Sequence, residues 1–264
     1  MTNLCILTYN LEFGGRKQLE AIYSVLHHCQ ADIIALTEAD DPEVVNILAQ
    51  RLGYHHVWAE GSGDRHIATL SRFPIRQWYI YNTPPLTQAV LETVIETPGG
   101  AITLFNVHFL PYLLLPFELR RWQAVGKLLA LIKTKAQGPH LIVGDLNAIG
   151  PGDRVLQNHN PARMKRVMLL QLRLIFRLAI PRLLKAGYVD CFRHLHPDEA
   201  GFTWWTAVPT TRYDYIMADS IMAASLQTCR VVDDITAVYQ ASDHFPLLAR
   251  FSSLAHDDNA FIRP

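Results

Sequence analysis

The 264-residue sequence carries Lys+Arg 24 against Asp+Glu 24, and its pI lies near 7.2. This balance excludes a global field that would recruit polyanions, although a local basic groove stays compatible with it. Half of the residues are hydrophobic, enough for a substantial core in one large α/β domain or two small ones.

Residues 4–9, LCILTY, read as a buried strand that delivers Asn10 at its end, and Glu12 and the Gly14-Gly15 turn follow. Residues 16–30 have helical spacing. A second, nearly all-apolar strand over 32–37 ends at Glu38. Residues 42–52 form a helix with Pro42 in its first turn and Gly53 just past its end. Strands are then expected at 54–59, 67–71, 76–81 and 88–96. The Pro98-Gly99-Gly100 turn leads into a strand at 101–107, making a hairpin that ends at His108. Residues 109–117, FLPYLLLPF, read as an apolar loop before a helix over 118–135. In the stretch LIVGDLNAI at 141–149 a buried strand gives way at Gly144 and ends by presenting Asp145 and Asn147 side by side. A long helix is expected over 162–185, kinked or split at Pro181, and then strands at 202–206, 213–217, 227–232 and 246–251. The strand-rich order with helices between groups of strands predicts two packed sheets covered by helices. A single catalytic domain over 1–252 and a polar tail over 253–264 are expected.

The cysteines Cys5, Cys29, Cys191 and Cys229 show no CxxC or Cys/His ligand spacing, which favours buried reduced thiols over disulfides. The apolar run at 4–7 is too short for a signal-peptide core and lacks a basic region before it, so a cytoplasmic location is expected. The apolar region 164–184 is interrupted by Lys165, Arg166, Arg173, Arg177 and Arg182, which argues against a membrane-spanning helix.

The polar groups at strand ends carry the chemistry: Asn10, Glu38, His108, Asp145 with Asn147, Asp214, and Asp243-His244. Any one of them is compatible with an ordinary turn. The ordered set, TYN near the N-terminus, TE in the second strand, NVH in mid-chain, GDLN, RYDYI and SDHFP, resembles the endonuclease/exonuclease/phosphatase superfamily from Thr8 to about Phe251. Its members include DNase-type nucleases, AP endonucleases, neutral sphingomyelinases and inositol polyphosphate phosphatases.

The resemblance implies a four-layer α/β/β/α sandwich with these loops at one end. It implies that Glu38, with Asn10 beside it and Asp243, holds Mg²⁺ or Mn²⁺. Asp145 and Asn147 would position the attacking water and the phosphoryl oxygen, and Asp214 would pair with His244. His108 matches the histidine of DNase-like and sphingomyelinase-like members. Thr37 departs from the glutamine common before the metal-binding glutamate and puts one supporting hydrogen bond in question.

The residue types suit this chemistry. Carboxylates offer hard oxygens to Mg²⁺, and a carboxylate-held histidine can act as general base or stabilise charge. The sequence does not assign the two histidines between these roles. His27, His28, His55, His56 and His194 receive none, and Ser71 and Arg72 read as closing a strand turn. Trp204 and Trp205 read as core ahead of base-stacking groups, Arg212 as a carboxylate partner, and Ser242 as a loop-ordering hydroxyl.

The expected activity is metal-dependent hydrolysis of a phosphodiester, nuclease-like or sphingomyelinase-like, with a phosphomonoesterase and an inactive binding module as competitors. Nucleic acid and phospholipid both stay open as partners. The apolar loop 109–117 and a basic amphipathic helix over 163–185, with Arg166, Arg173 and Arg177 on one face, would be the membrane-surface contacts. Oligomeric state is not legible.

Overall fold

The computed structural model describes residues 3–62, 65–136, 138–159, 162, 165–166, 169 and 174–252. Twelve strands among them form two six-stranded sheets. The first sheet has the order β11-β12-β1-β2-β4-β3, built from β1 (Leu4–Asn10), β2 (Ile33–Thr37), β3 (His55–Ala59), β4 (Ile67–Ser71), β11 (Leu226–Val231) and β12 (Leu247–Phe251). The second runs β5-β6-β7-β8-β10-β9, with β5 (Ile75–Tyr81), β6 (Val90–Thr97), β7 (Gly100–His108), β8 (His140–Asp145), β9 (Val189–Asp190) and β10 (Asp214–Ala218).

Two pairs of neighbours, β1 with β2 and β7 with β8, are parallel. Parallel neighbours need a crossover, which helices α1 (Leu19–Cys29) and α3 (Leu115–Lys135) supply. Alternation along each strand then divides its side chains between layers. In β1, Leu4 and Ile6 join Leu104, Leu141, Val143 and Ile216 between the sheets. Cys5, Leu7 and Tyr9 face the other way, onto Ile22, Val25 and Leu26 of α1 and Val44, Val45 and Leu48 of α2 (Pro42–Leu52). On the far side, Phe105, Ile142 and Tyr215 pack against Val125 and Leu128 of α3 and Ile180 and Leu183 of α4 (Ala179–Lys185). The result is the four-layer α/β/β/α sandwich.

Several local expectations need correction. The third long helix begins at Leu115 rather than 118, because Pro116 fits the first turn, where a missing N–H costs nothing. The apolar loop is therefore shorter, and Phe109 and Leu113 in it are buried. No continuous helix reaches 185: residues 174–178 are irregular, and α4 starts only at Ala179, with Pro181 inside its first turn instead of at a break. Most of the expected helix between 162 and 173, Arg173 included, lies outside the described residues, as does the tail over 253–264. Residues 202–206 are not a strand. Trp204 alone is laddered, by isolated bridges to Thr211 and His244.

All four cysteines are free and buried. Among the described residues no helix is long and apolar enough to cross a membrane.

Candidate active site

Strand register assembles the site. Asn10 lies opposite Thr37, so Glu38 is the next residue past the end of β2. In the second sheet His108 pairs with Asp145, and Asp145 with Asp214, so the three polar residues stand side by side across β7, β8 and β10. Asp243 and His244 precede β12, which runs antiparallel to β1 and begins at the level of Thr8. Both sheets thus deliver their polar ends to one rim.

Side chains then join the halves. Asn10 Nδ2 donates to Asp145 Oδ2 at 3.2 Å, a bond between the two sheets. Asp145 Oδ1 accepts the Asn147 backbone N–H at 2.8 Å, closing an Asx-turn that holds Asn147 at φ 47. The Asn147 amide donates to Phe109 O at 3.0 Å. His244 Nδ1 and Asp214 Oδ2 are 2.8 Å apart, and the Ser242 hydroxyl accepts the His244 N–H at 3.1 Å. Thr203 Oγ1 accepts the Asp214 N–H at 3.2 Å. His108 Nε2 lies 3.7 Å from Asp145 Oδ2 and 3.9 Å from Glu38 Oε1, too far for hydrogen bonds. Both of its ring nitrogens are buried without a partner among the described residues.

Electrostatics sorts these groups by charge. Burial, helped by the charges of Arg65 and His244, depresses His108 to about 3, so its ring is neutral at physiological pH. Burial also works against a charged His244. The Asp214 carboxylate, with Asp145 and Asp243 behind it, outweighs that and lifts the ring to about 10. Burial and the adjacent Asp214 raise Asp145 well above the ordinary carboxylate range. Without a cation, the cluster therefore retains protons.

The donor set fits a hard divalent cation. Glu38, Asp145, Asp214 and Asp243 offer carboxylate oxygens and Asn10 a carbonyl, the ligand class of Mg²⁺ and Mn²⁺. The buried Asp214 Oδ1 has no hydrogen-bond partner among the described residues. Ligand atoms of Asp145, Asp214 and His244 lie within 4.8 Å of one another. Phe13 N–H holds Glu38 Oε2 at 3.1 Å, so Oε1 is the oxygen turned to His108.

The eight predicted site residues, Asn10, Glu38, His108, Asp145, Asn147, Asp214, Asp243 and His244, gather at this rim, with one separation. Asp243 stands on the His244 side, its Oδ1 4.0 Å from His244 Nε2 and its Oδ2 accepting from Trp204 Nε1 at 3.0 Å. No hydrogen bond or ion pair joins it to Asn10 or Glu38 among the described residues. Sequence reasoning gave no role to Glu12, whose pKa is raised by burial and then by Asp243 and Glu38. Its signal was the left-handed run Glu12-Phe13-Gly14-Gly15, which the glycine doublet hinted at. Thr203 and Arg65 carried no signal. Arg212 does pair with carboxylates, Asp153 at 2.8 Å and Asp190 at 2.6 Å.

Residues 7–244 match the model of the Endonuclease/Exonuclease/phosphatase family. A Bacillus subtilis exodeoxyribonuclease is 30% identical over 79 residues, which span 27% of this chain and 30% of that protein. An AP endonuclease from Archaeoglobus fulgidus superposes with a TM-score of 0.74 at 21% identity, covering 94% of this chain and 99% of its own. The 3'-5' exonuclease NExo from Neisseria meningitidis gives 0.71 at 22% identity over 94% and 99%. TDP2 from D. rerio, complexed with single-strand DNA product, gives 0.69 at 18% identity over 95% and 99%. At these identities the structures share the fold, while the family match extends over nearly the whole sequence and includes every strand end described above. This chain belongs to the endonuclease/exonuclease/phosphatase family.

Proposed function

We propose that the protein is a divalent-cation-dependent phosphodiesterase of nuclease type, acting by attack of water at phosphorus. The observation that carries this reading is a neutral His108, without a hydrogen-bond partner among the described residues, buried 3.7 Å from Asp145 in one site with the His244–Asp214 pair. An anion-binding slot beside a proton acceptor is what the reaction needs.

In its ionised form Asp145 takes the proton of the attacking water as the new P–O bond forms and the ester P–O bond breaks, the leaving oxygen departing as an alkoxide. Asn147, fixed by its own Asx-turn and by Phe109 O, orients that water or a phosphoryl oxygen with its remaining amide hydrogen. His244, held as imidazolium by Asp214, stabilises the charge that accumulates on the phosphoryl oxygens. His108 donates a neutral hydrogen bond to a phosphoryl oxygen and does not protonate the leaving group. A Mg²⁺ or Mn²⁺ ion held by Glu38, with Asn10 and Asp243 contributing, would supply charge neutralisation at the phosphoryl and leaving oxygens.

Nucleic acid is the favoured substrate, since the similar proteins named above include DNA-acting enzymes. The lipid alternative rests on the apolar loop 109–117 together with a basic amphipathic helix, and Phe109 and Leu113 of that loop are buried. Of the arginines expected on that helix, Arg177 donates to Gly150 O and Asp153 O, each at 3.1 Å, and so is held by the protein.

Hydrolysis of bis(p-nitrophenyl) phosphate beside p-nitrophenyl phosphate, with Mg²⁺, Mn²⁺ or EDTA, tests the reaction. Abasic duplex, single-stranded DNA and sphingomyelin vesicles then test the substrate. EDTA-sensitive cleavage of diester and DNA, lost in Asp145→Ala, is the expected result. Turnover indifferent to EDTA, or unchanged in the variant, refutes the assignment.

A further inference from the structure

Arg65 occupies the connection from β3 to β4, two residues before Ile67, which pairs with Thr37 next to Glu38. The level of this connection is set across the sheets. Asn106 Nδ2 donates to Leu36 O at 3.1 Å and to Ala68 O at 2.9 Å. Two residues from each of these anchors, toward the rim, stand His108, Glu38 and His66, so the chain at His66 is level with both site residues.

His66 is clamped at that level. Its N–H donates to Asp40 Oδ1 at 2.8 Å, and Nδ1 accepts from Gly61 N at 2.9 Å. Its carbonyl accepts from Ala39 N at 2.9 Å. Its ring sits 4.9 Å from that of Trp58. The Arg65 backbone is fixed as tightly: a Cβ at Gly61 would fall 2.0 Å from Arg65 O, so only glycine fits there.

Among the described residues the charge of Arg65 meets no carboxylate. Arg16, Arg72, Arg121 and Arg212 each pair with a carboxylate. Arg65 pairs with none among the described residues, although Glu38 and Asp145 lie in the site it borders. The group that feels its charge is His108, which also feels His244. An arginine whose backbone is fixed at the rim of an acidic site, with no carboxylate partner among the described residues, has its guanidinium left to meet a ligand. It presents a planar fork suited to phosphate oxygens.

We propose that Arg65 binds a non-bridging oxygen of the phosphate at the reaction centre, forming with His108 and His244 a three-donor cradle drawn from three separate elements. The inference rests on the phosphodiesterase reading given above. It makes Arg65 a substrate-binding residue whose loss weakens ground state and transition state together.

The test compares wild type, Arg65→Ala, Arg65→Lys and, as a surface control, Arg72→Ala. Steady-state cleavage of bis(p-nitrophenyl) phosphate with Mn²⁺ should show kcat/KM lowered about 10–100-fold in Arg65→Ala, the loss expected for one charge-assisted hydrogen bond. Arg65→Lys should recover part of it. Millimolar guanidinium should restore Arg65→Ala and leave Arg72→Ala unaffected, a rescue that no purely structural role would produce. An Arg65→Ala enzyme with wild-type kcat/KM overturns the proposal while leaving the phosphodiesterase reading intact.

Should wild type show no turnover with any metal, the phosphodiesterase reading fails. The cradle is then tested by titrating inorganic phosphate in EDTA while following the histidine ring protons by NMR. Binding weakened about 10-fold or more in Arg65→Ala supports Arg65 as the anion contact. Equal affinity overturns it.

Discussion

Arg121 offers the sharpest test of how the chain holds its site in place. Its side chain is 1% exposed, yet it carries a full charge. Nε donates to Glu118 Oε2 at 2.8 Å, while Nη1 donates to Leu110 O at 2.6 Å and Tyr112 O at 2.9 Å. Glu118 in turn accepts the Leu178 N–H at 2.6 Å and the Ala179 N–H at 2.9 Å, capping α4. One buried ion pair therefore ties the loop after His108 to two helices. Replacing Arg121 by Met strands a buried carboxylate, at about 3–5 kcal/mol, and leaves two loop carbonyls unsatisfied at about 1 kcal/mol each or more. The expected loss is about 5–7 kcal/mol, read from urea unfolding of Arg121→Met. Glu118→Gln alone should cost about 3 kcal/mol or more, and the double variant should cost less than the sum by at least about 2 kcal/mol. Loosening of the loop also releases Phe109 O from Asn147, so kcat should fall in any variant that still folds. Additive losses, or an Arg121→Met protein within about 1 kcal/mol of wild type, would refute the reasoning.

Other outcomes follow from the same geometry. Glu38→Gln should lower turnover by about 10²-fold or more and abolish the rise in melting temperature that Mn²⁺ gives wild type, as differential scanning fluorimetry would show. For Asp145 the folded pKa is raised above the unfolded value. Its contribution is present in full below about pH 4 and lost as pH rises through the folded value, so cation-free protein should destabilise with rising pH over that span, and Asp145→Asn should flatten the slope. His244 stays protonated to about 10 through Asp214, so in Asp214→Asn the alkaline limb of the pH–rate profile should move down by more than one pH unit. Gly144 has φ 131 and faces Val107 O, which a Cβ would approach to 1.9 Å. Gly144→Ala should therefore cost at least about 3 kcal/mol in urea unfolding.

Most of the site was legible because a strand has only one way to present its last residue. Runs such as LCILTYN and LIVGDLN are buried on both faces, so the switch from apolar to polar marks the rim where ligands can reach. Helix α2 was legible end to end because Pro42, the Asp41 cap and Gly53 all act locally. The 202–206 segment misled because its aromatics have strand character, yet Trp204 finds bridge partners only in Thr211 and His244, and His244 is forty residues away. The long helix failed for a related reason. Arg177 bonds Gly150 and Asp153, and Glu118 captures the amides of Leu178 and Ala179. Such partners leave no trace in local periodicity. Arg65 was illegible on the same grounds, since its place is set by strand register and by Asn106 in the opposite sheet.

The division of labour between the sheets bears on how the site works. The first contributes Asn10, Glu38, Asp243 and His244; the second contributes His108, Asp145, Asn147 and Asp214. Neither half alone holds the whole set, since the carboxylate that holds His244 and the group that Asn10 bonds both lie in the other sheet. The halves meet through Asn10 donating to Asp145, His244 bonding Asp214, and Asn106 reaching both Leu36 and Ala68. Their separation is therefore fixed by the apolar layer between the sheets, where Ile6, Ile33, Leu104, Val143 and Ile216 are fully buried. A packed interior yields little to a change of even one methylene. Shortening Val143, two residues before Asp145, or Ile33, at the far end of β2, would then shift Asp145 against Asn10 and His244. In a reaction that depends on alignment to a fraction of an ångström, such a change lowers kcat before it unfolds the chain.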